Sequence, residues 1–140
     1  MTATVWADRN QAIIDEFRAN GGVVGGYFTG VPLLLVHHRG AKSGVERIAP
    51  LASQALGNGW AVFASKGGAD DNPAWYHNLL ANPETTVEVG SETVPVAAHE
   101  ATGAEYDRIW NKQKAAIPMF AEYEKKTKRP YIPVIVLERR

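Results

Sequence analysis

The stretch that decides how this chain folds is Trp60–Asn78, WAVFASKGGADDNPAWYHN. It begins with an apolar run of strand length, which stops at Ser65, and a polar loop with two glycines follows. Asn72 and Pro73 then open a predicted helix, because asparagine is a favoured N-cap and proline at the first helical position leaves no unpaired N–H. The stretch therefore predicts a strand, a glycine-bearing loop and a helix in direct succession.

The loop between this strand and this helix fits either a plain connection or a ligand-binding loop. Glycines allow a backbone to approach a ligand closely, and the free N–H groups of a first helical turn attract negative charge. Lys66 lies in the middle of the loop and adds a positive charge. An ordinary connection with a solvated lysine is the alternative interpretation of this stretch taken alone.

The sequence before this stretch predicts a meander of strands. Pro32–His38 is an apolar run typical of a strand buried on both faces, and Val45–Leu56 is predicted to return antiparallel to it. Pro50 indicates a bulge or an edge position in the returning strand, since proline cannot donate to a strand ladder. The short loops that join these strands to Trp60–Ala64 favour a small β-barrel or a strongly curved sheet.

The first 30 residues predict an N-terminal helix followed by a glycine-rich connection. The helix is expected over residues 5–19, where apolar side chains recur at helical spacing, and it ends at Asn20-Gly21-Gly22. The glycines here do not spell G-x-G-x-x-G, so a dinucleotide fingerprint is not supported. We expect this helix to pack on the core rather than on a membrane surface.

The remainder of the chain predicts a hairpin, two helical segments and a last strand. These elements are expected at Thr85–Val89 with Thr93–Ala98, at Gly103–Lys114, at Met119–Lys128 and at Ile132–Leu137. The last strand is apolar almost throughout, which indicates a central position. Residues 1–140 are interpreted as one α+β domain, mainly β, with an N-terminal helix, a short helix after the third strand and two helical segments before the last strand.

Composition excludes several classes of function. The chain has 140 residues, no cysteine and a formal net charge of zero, which excludes thiolate chemistry and gives no general attraction for nucleic acid. His37 and His38 are neighbours on a predicted strand and point to opposite faces, so no metal site is expected. No signal peptide and no membrane-spanning run are found, so we expect a cytoplasmic protein, with peripheral membrane contact left open.

The distribution of charge points to a local anion site. Residues 1–100 contain six Lys/Arg against ten Asp/Glu, and three of those cations, Arg39, Lys42 and Arg47, fall in one short segment. This loop and the Lys66 loop could converge on one anionic ligand beside the flat surfaces of aromatic side chains. No nucleophile motif and no distinct carboxylate pair is present, so the chemistry is expected to come from a cofactor.

Several segments together resemble the deazaflavin-dependent nitroreductase family of actinobacteria, in the same order from about residue 13 to the C-terminus. They are residues 16–22 (EFRANGG), the Gly40-x-Lys42-Ser43-Gly44 loop, residues 64–69 (ASKGGA), residues 72–83 (NPAWYHNLLANP) and residues 132–137 (IPVIVL). The resemblance implies a split β-barrel that binds coenzyme F420, a 7,8-didemethyl-8-hydroxy-5-deazariboflavin derivative. It also implies hydride transfer from the reduced coenzyme to a small acceptor, such as a quinone, an unsaturated lactone or other enone, or a nitroaromatic.

The resemblance further implies which residues bind the coenzyme. Lys42, Ser43 and Arg47 would hold its phosphate and glutamyl tail. Backbone N–H groups of residues 64–68 would line the ring and stabilise negative charge on a ring carbonyl. The complete set expected at the coenzyme is Lys42, Ser43, Gly44, Arg47, Pro50, Ala64, Ser65, Lys66, Gly67, Gly68, Asn72, Trp75, Tyr76 and Asn78. Bracing of the loop is the alternative role for Asn78.

The acceptor pocket would be formed by Ile117, Phe120 and Tyr123, with Tyr123 or water as the proton donor. The resemblance implies that tyrosines line the acceptor side in the family member that reduces nitro-drugs. Here Tyr123 is the one hydroxyl-bearing residue of the set, which argues against reduction of nitro-drugs. Ala41 stands where many family members have arginine, so one phosphate contact is either missing or supplied by Arg39. An FMN-binding split-barrel oxidoreductase and a non-catalytic F420 carrier are the alternatives. The protein is expected to be a monomer or a homodimer.

Overall fold

The computed structural model describes the backbone of residues 3–140 and the side chains of residues 10–26 and 28–140. Short 3-10 turns occur at Gly26–Phe28 and Lys66–Gly68. The helices are α1 (Ala3–Ala19), α2 (Ala74–Ala81), α3 (Gly103–Ala116) and α4 (Met119–Lys126). The strands are β1 (Leu33–Arg39), β2 (Glu46–Leu56), β3 (Gly59–Phe63), β4 (Glu84–Val89), β5 (Glu92–Glu100) and β6 (Val134–Arg139).

The six strands form a closed antiparallel barrel in the order β1-β2-β3-β6-β5-β4. Side chains alternate between the two faces of a strand, so one set of apolar residues fills the barrel and the other meets the helices. The interior set includes Leu34, Val36, Val62, Ile135 and Leu137, all almost completely buried. The predicted α+β barrel, with its helices in the predicted places along the chain, is confirmed.

One part of the barrel wall is paired on one side only. Strand β2 pairs with β1 from Glu46 to Ala52, but with β3 only from Ser53 to Leu56. Pro50 lies opposite Leu35 in the β1 register and within the part of β2 that has no β3 partner. The predicted edge position of Pro50 is therefore confirmed, and its missing N–H leaves no ladder bond unmade.

The helices cover three different regions of the barrel. Helix α1 packs through Ile14 and Phe17 on the outer face of β1, and Arg18 makes a bidentate pair with Glu88 of β4 at 2.9 and 2.7 Å. Helices α3 and α4 cover the outer faces of β3 and β6, while α2 contributes buried residues to the barrel interior. Strand β6 pairs with both β3 and β5, as expected of a central strand.

The start of α2 differs from the predicted one. The helix begins at Ala74, and Pro73 is the extended residue before it, with no side-chain cap. The Oδ1 atom of Asn72 accepts a 2.6 Å hydrogen bond from Arg129 Nη1, so this oxygen is used by a distant guanidinium instead of the first helical turn. The predicted N-cap role of Asn72 was therefore wrong.

The other element boundaries agree with the predicted ones to within about two residues. Helix α4 ends at Lys126 rather than Lys128, because Thr127 adopts an extended conformation and its segment turns back to contact another loop. The side chains of residues 5–9 in the predicted N-terminal helix lie outside the described ones. Across residues 3–140, the helices are all too short or too polar to cross a bilayer.

Candidate functional site

A cavity of about 610 Å³ lies between α1, the connection after it, the open edge of β2 and α4. Its volume is within the range of small-molecule sites. Of the predicted coenzyme-binding residues, Pro50, Ser65, Lys66 and Gly67 line it. The three residues of the predicted acceptor pocket also line it, namely Ile117, Phe120 and Tyr123. One cavity therefore brings together residues that the sequence assigned to two ligands.

The lysine loop, residues 65–72, forms one wall of this cavity with an unusual backbone. Ser65 is in the right-handed helical region, and Lys66 follows with a φ of +47°, in the left-handed region. Successive residues of opposite hand turn their N–H groups toward one point and form an anion-binding nest. The N–H groups of Ser65, Lys66 and Gly67 find no acceptor among the residues that the structure describes. We call these three groups the nest.

The conformation of the lysine loop is costly and is maintained by close packing. A left-handed φ in a lysine costs of order 1 kcal/mol or more. Gly68 has a φ of +83°, and a Cβ atom there would lie 3.1 Å from two carbons of Lys126 and 3.2 Å from the carbonyl oxygen of Tyr123. The left-handed φ and these close contacts together favour glycine where the loop meets α4, and the contact holds the nest in position.

Residues 127–129, here called the clasp, bind the opposite side of the lysine loop. Arg129 donates from Nη1 to the Ala64 carbonyl at 2.8 Å and from Nη2 to the Ser65 carbonyl at 2.9 Å. Thr127 Oγ1 donates to the Ala69 carbonyl at 2.7 Å. No role was predicted from the sequence for the clasp. The bonded residues are about 60 positions apart in the chain, so no local sequence pattern indicates that they meet.

Lys66 is held by an acidic neighbour in the same loop. Its Nζ atom lies 2.9 Å from Oδ2 of Asp71, and the hydrogen bond with Lys66 lowers the pKa of Asp71. Both side chains are largely exposed, so this pair contributes little to stability. The pair holds the Lys66 ammonium group in a defined place at the cavity edge. An anionic ligand could compete with Asp71 for this group.

The other predicted binding loop, the hairpin loop of residues 40–45, joins β1 to β2. Lys42, Ser43 and Gly44 are exposed here, as is Arg47 at the start of β2. Within the described part of the chain, none of these four side chains or glycines lines the 610 Å³ cavity. The structure thus places the two loops differently, with the lysine loop in the cavity wall and the hairpin loop at the surface.

Asn78 of α2 anchors the hairpin loop. Its Oδ1 accepts from the N–H of Ala41 at 3.1 Å, and its Nδ2 lies 3.0 Å from Nδ1 of His38. Burial, and then the nearby charge of Arg47, lower the pKa of His38 to about 4, so its ring is neutral at pH 7 and can accept this bond. These contacts support the bracing role for Asn78.

The remaining predicted residues lie behind the cavity wall. Ala64, Trp75 and Tyr76 are buried in the barrel core, and the hydroxyl of Tyr76 donates to Glu100 at 2.6 Å. Burial, followed by the bond to Glu100, raises the pKa of Tyr76. They do not line the 610 Å³ cavity, so their expected contact with a coenzyme ring stays a prediction.

The far walls of the cavity are apolar and aromatic. Phe120 makes edge-on contacts with Phe63 at 5.4 Å and with Tyr123 at 5.6 Å between ring centroids. The connection after α1 adds further apolar side chains to these walls, including Val24, Phe28 and Val31. Glu16 fixes this connection, because its Oε2 accepts from the N–H of Gly25 at 2.7 Å. The amphipathic pattern of α1 predicted packing on the core, but not the contribution of α1 and its connection to this cavity.

Comparison with known proteins identifies the relatives of this chain. A family model for F420H2-dependent quinone reductases matches residues 9–139. An F420H2-dependent quinone reductase of Mycobacterium tuberculosis is 37% identical over 130 residues, which cover 89% of this chain and 85% of the relative. A solved F420H2-dependent reductase structure is 39% identical, with a TM-score of 0.67, and the match covers 75% of this chain and 93% of that one.

A second solved structure, described as a domain-swapped dimer, is 36% identical with a TM-score of 0.71, and the match covers 98% of this chain and 100% of that one. The resemblance predicted from the sequence motifs is therefore confirmed by family, sequence and fold. This chain belongs to the F420H2-dependent quinone reductase family, whose members are oxidoreductases that use the deazaflavin coenzyme F420.

Proposed function

We propose that this protein binds reduced F420 against the lysine loop and transfers a hydride to a quinone held by the apolar walls of the cavity. The observation that carries this proposal is the nest, whose three N–H groups lack acceptors in the described residues and adjoin a largely apolar cavity. A flat ring with polar oxygens at one end requires this combination of surfaces. The close-packed Gly68 turn keeps the nest in place for such a ring.

The chain's residues have distinct roles in this proposal. The nest and Lys66 hold the ring oxygens, and Lys42, Ser43 and Arg47 hold the phosphate and the glutamyl tail. When bound in its reduced form, the coenzyme supplies the hydride. Formation of a hydroquinone also requires a proton, and the Tyr123 hydroxyl, which lies on a cavity-lining residue, or a water molecule donates it to the acceptor oxygen.

The walls of the cavity favour a flat, apolar acceptor. Ile117, Phe120 and Tyr123 line the cavity together with apolar residues of the connection after α1, and these surfaces reduce the access of water to the acceptor. Quinones fit this lining best, while enones and nitroaromatics are further acceptors to be tested. Since Tyr123 is the one hydroxyl group in the predicted acceptor set, we expect weak or no reduction of nitro-drugs.

Titration of the purified protein with oxidised F420, reduced F420 and FMN tests the coenzyme assignment. We expect micromolar binding of F420, weaker binding of FMN, and losses of about tenfold in Lys66→Ala and Lys42→Ala, each of which removes a charged contact. Lys125→Ala is the matched control, because Lys125 is an exposed lysine of α4 whose ion-pair partner is Glu122. Binding weaker than millimolar, or equal binding by all variants, would contradict the proposal.

Oxidation of bound F420H2 distinguishes an enzyme from a carrier. We expect rapid oxidation by menadione and slower oxidation by cyclohexenone and a nitroaromatic. The loss of F420H2 absorbance measures the rate of each reaction. Tight coenzyme binding without oxidation by any of these acceptors would favour the carrier. A yellow purified protein that releases FMN would favour the FMN-binding alternative.

We also propose that the protein acts in the cytoplasm as a monomer or a homodimer, with peripheral membrane contact as the alternative location. A structural relative is described as a domain-swapped dimer, which is the reason to test whether this protein forms a homodimer. Light scattering of the purified protein measures the oligomeric state, and sedimentation with lipid vesicles measures membrane contact.

A further inference from the structure

Arg129 contacts the same two peptide groups that form part of the nest. Its Nη1 and Nη2 atoms donate to the carbonyl oxygens of Ala64 and Ser65 at 2.8 and 2.9 Å. The peptide that begins with the Ala64 carbonyl ends with the N–H of Ser65, and the next one ends with the N–H of Lys66. In a trans peptide the C=O and N–H groups point in opposite directions. The guanidinium therefore lies behind the nest, on the side away from the ligand.

The charge of Arg129 is not neutralised by an ion pair. No carboxylate lies within salt-bridge distance of it among the residues that the structure describes, and its other partners are Asn72 Oδ1 and Thr127 Oγ1. Burial lowers the pKa of Arg129, while the charges of Asp71 and Asp70 in the lysine loop oppose this shift, and the guanidinium stays protonated at neutral pH. A positive charge that donates to a peptide carbonyl polarises that peptide and strengthens its N–H as a donor.

We propose that Arg129 is a positioning residue that prepares the nest to hold negative charge on a ring oxygen of the coenzyme. This inference rests on the proposed function, because it concerns the coenzyme bound at the nest. Arg129 acts through the Ala64–Ser65 and Ser65–Lys66 peptide groups, which it both orients and polarises. It needs no direct contact with the coenzyme for this effect.

A purely structural role for Arg129 makes a different prediction from a polarising one. If Arg129 only kept the lysine loop rigid, its loss would weaken binding of the neutral and the ionised coenzyme by the same factor. If Arg129 polarises the nest, its loss weakens binding of the ionised form more. The 8-hydroxyl group of oxidised F420 is conjugated with the ring carbonyls, so its ionisation places negative charge on those oxygens and changes the absorbance of the ring.

The test is a pH titration of the absorbance of oxidised F420 bound to wild type and to Arg129→Gln. We expect the ionisation midpoint of the bound coenzyme to rise in the variant, with an ionisation constant lower by about tenfold, the effect of a unit charge acting over several ångströms in a partly solvated site. Thermal unfolding of both proteins, with and without coenzyme, verifies that the variant is folded at the titration temperature.

Thr127→Val is the control for a loosened loop. This change removes the bond to the Ala69 carbonyl and the acceptor for Arg129 Nε, but retains the guanidinium charge. We expect lower affinity for the coenzyme and an unchanged ionisation midpoint. If Arg129→Gln does not fold, Arg129→Lys serves instead. An ammonium group cannot donate to both carbonyls with the geometry of the guanidinium fork, so we expect a smaller shift in the same direction.

Different results would overturn the two proposals separately. A folded Arg129→Gln or Arg129→Lys variant that binds the coenzyme with the wild-type midpoint would overturn the role of Arg129 alone. An equal shift in Thr127→Val would do the same, because it would assign the effect to loop mobility. If wild type binds no F420, the proposed function fails and this inference fails with it.

Discussion

The lysine loop and the hairpin loop look alike in sequence but are held in different ways. Both follow a strand, contain glycines and carry a lysine. The lysine loop has left-handed φ angles at Lys66, Gly67 and Gly68 and is bound from behind by the clasp. The hairpin loop is exposed and depends on its own turn bonds and on one contact from Asn78.

This difference matches two kinds of ligand surface. Hydrogen-bond donors that are already fixed in place stabilise a rigid ring that gains or loses charge most effectively, because they need no reorganisation during the reaction. A flexible polyanionic tail is served by exposed cations on long side chains, which can follow its conformations. We infer that the lysine loop is built for the ring and the hairpin loop for the tail.

The largest expected difference between the loops is in their tolerance of a Cβ atom. Gly68→Ala adds a left-handed strain and tight contacts of 3.1–3.2 Å with Lys126 and the Tyr123 carbonyl, and we expect a loss of about 3 kcal/mol in the free energy of unfolding. Gly44→Ala is the matched change in the hairpin loop. Gly44 has a φ of +71° and open space around it, so we expect a loss of about 1 kcal/mol. Urea unfolding measures both, and equal losses would contradict the comparison.

The next largest effect concerns the anchor of the hairpin loop. Asn78→Ala leaves the N–H of Ala41 and the buried His38 without this partner, and we expect a loss of about 2 kcal/mol in the free energy of unfolding. Asn82→Ala, at the C-cap of α2 one turn after Asn78, is the control. Its Nδ2 makes one longer bond, 3.3 Å, to the Arg39 carbonyl, so we expect a loss below about 0.5 kcal/mol. A similar loss in both variants would show that Asn78 is not a special anchor.

The neutral state of His38 predicts a pH dependence of stability. Its pKa is about 4 in the folded protein and 6.5 in the unfolded chain, so the unfolded chain takes up a proton first as the pH falls. Stability therefore decreases as the pH falls from about 6.5 toward 4, and we expect a loss of about 1.5 kcal/mol between pH 6.5 and pH 5. Urea unfolding across this range measures the loss. In His38→Gln we expect a flat profile there, and an unchanged slope would contradict this assignment.

The smallest expected effect on stability is at the Lys66–Asp71 pair. Asp71→Asn removes the carboxylate that holds Lys66 Nζ at 2.9 Å, and we expect no measurable change in the free energy of unfolding, because the pair is exposed to solvent. We expect affinity for F420 to rise by about threefold, because Lys66 no longer has to break its bond with the Asp71 carboxylate before it binds the coenzyme. Asp70→Asn, whose carboxylate accepts from the N–H of Lys128 instead, is the control. Lower affinity in Asp71→Asn would indicate that the pair orients Lys66 for binding.

Local sequence signals predicted most of the fold and part of the candidate site. Apolar alternation and turn residues located the strands and helices, and Pro50 indicated the open edge of β2, because these signals act over a few residues. The roles of Arg129 and Asn72 could not be predicted in this way, since their bond joins segments 57 residues apart in sequence. The N-cap preference of Asn72 was overridden by a charged donor that only the tertiary structure brings near.

The contribution of α1 to the cavity was missed for a similar reason. The helical spacing of Ile13, Ile14 and Phe17 predicts an apolar face, but it does not say which residues of that face meet the core. In the structure Phe17 is buried on the barrel, while Ile13 lines the cavity. This division depends on how the connection after α1 turns, which Glu16 fixes through a bond to Gly25.

The most direct test of the account is the affinity of the two lysine variants for two ligands. The ligands are intact F420 and its ring with the ribityl arm alone, without the phosphate and glutamyl tail. We expect Lys42→Ala to lose about tenfold in affinity for intact F420 and nothing for the tail-less ring, since the ion pair it removes is with the tail. We expect Lys66→Ala to lose affinity for both ligands. Equal losses for both ligands in Lys42→Ala, or no loss in either variant, would contradict the account.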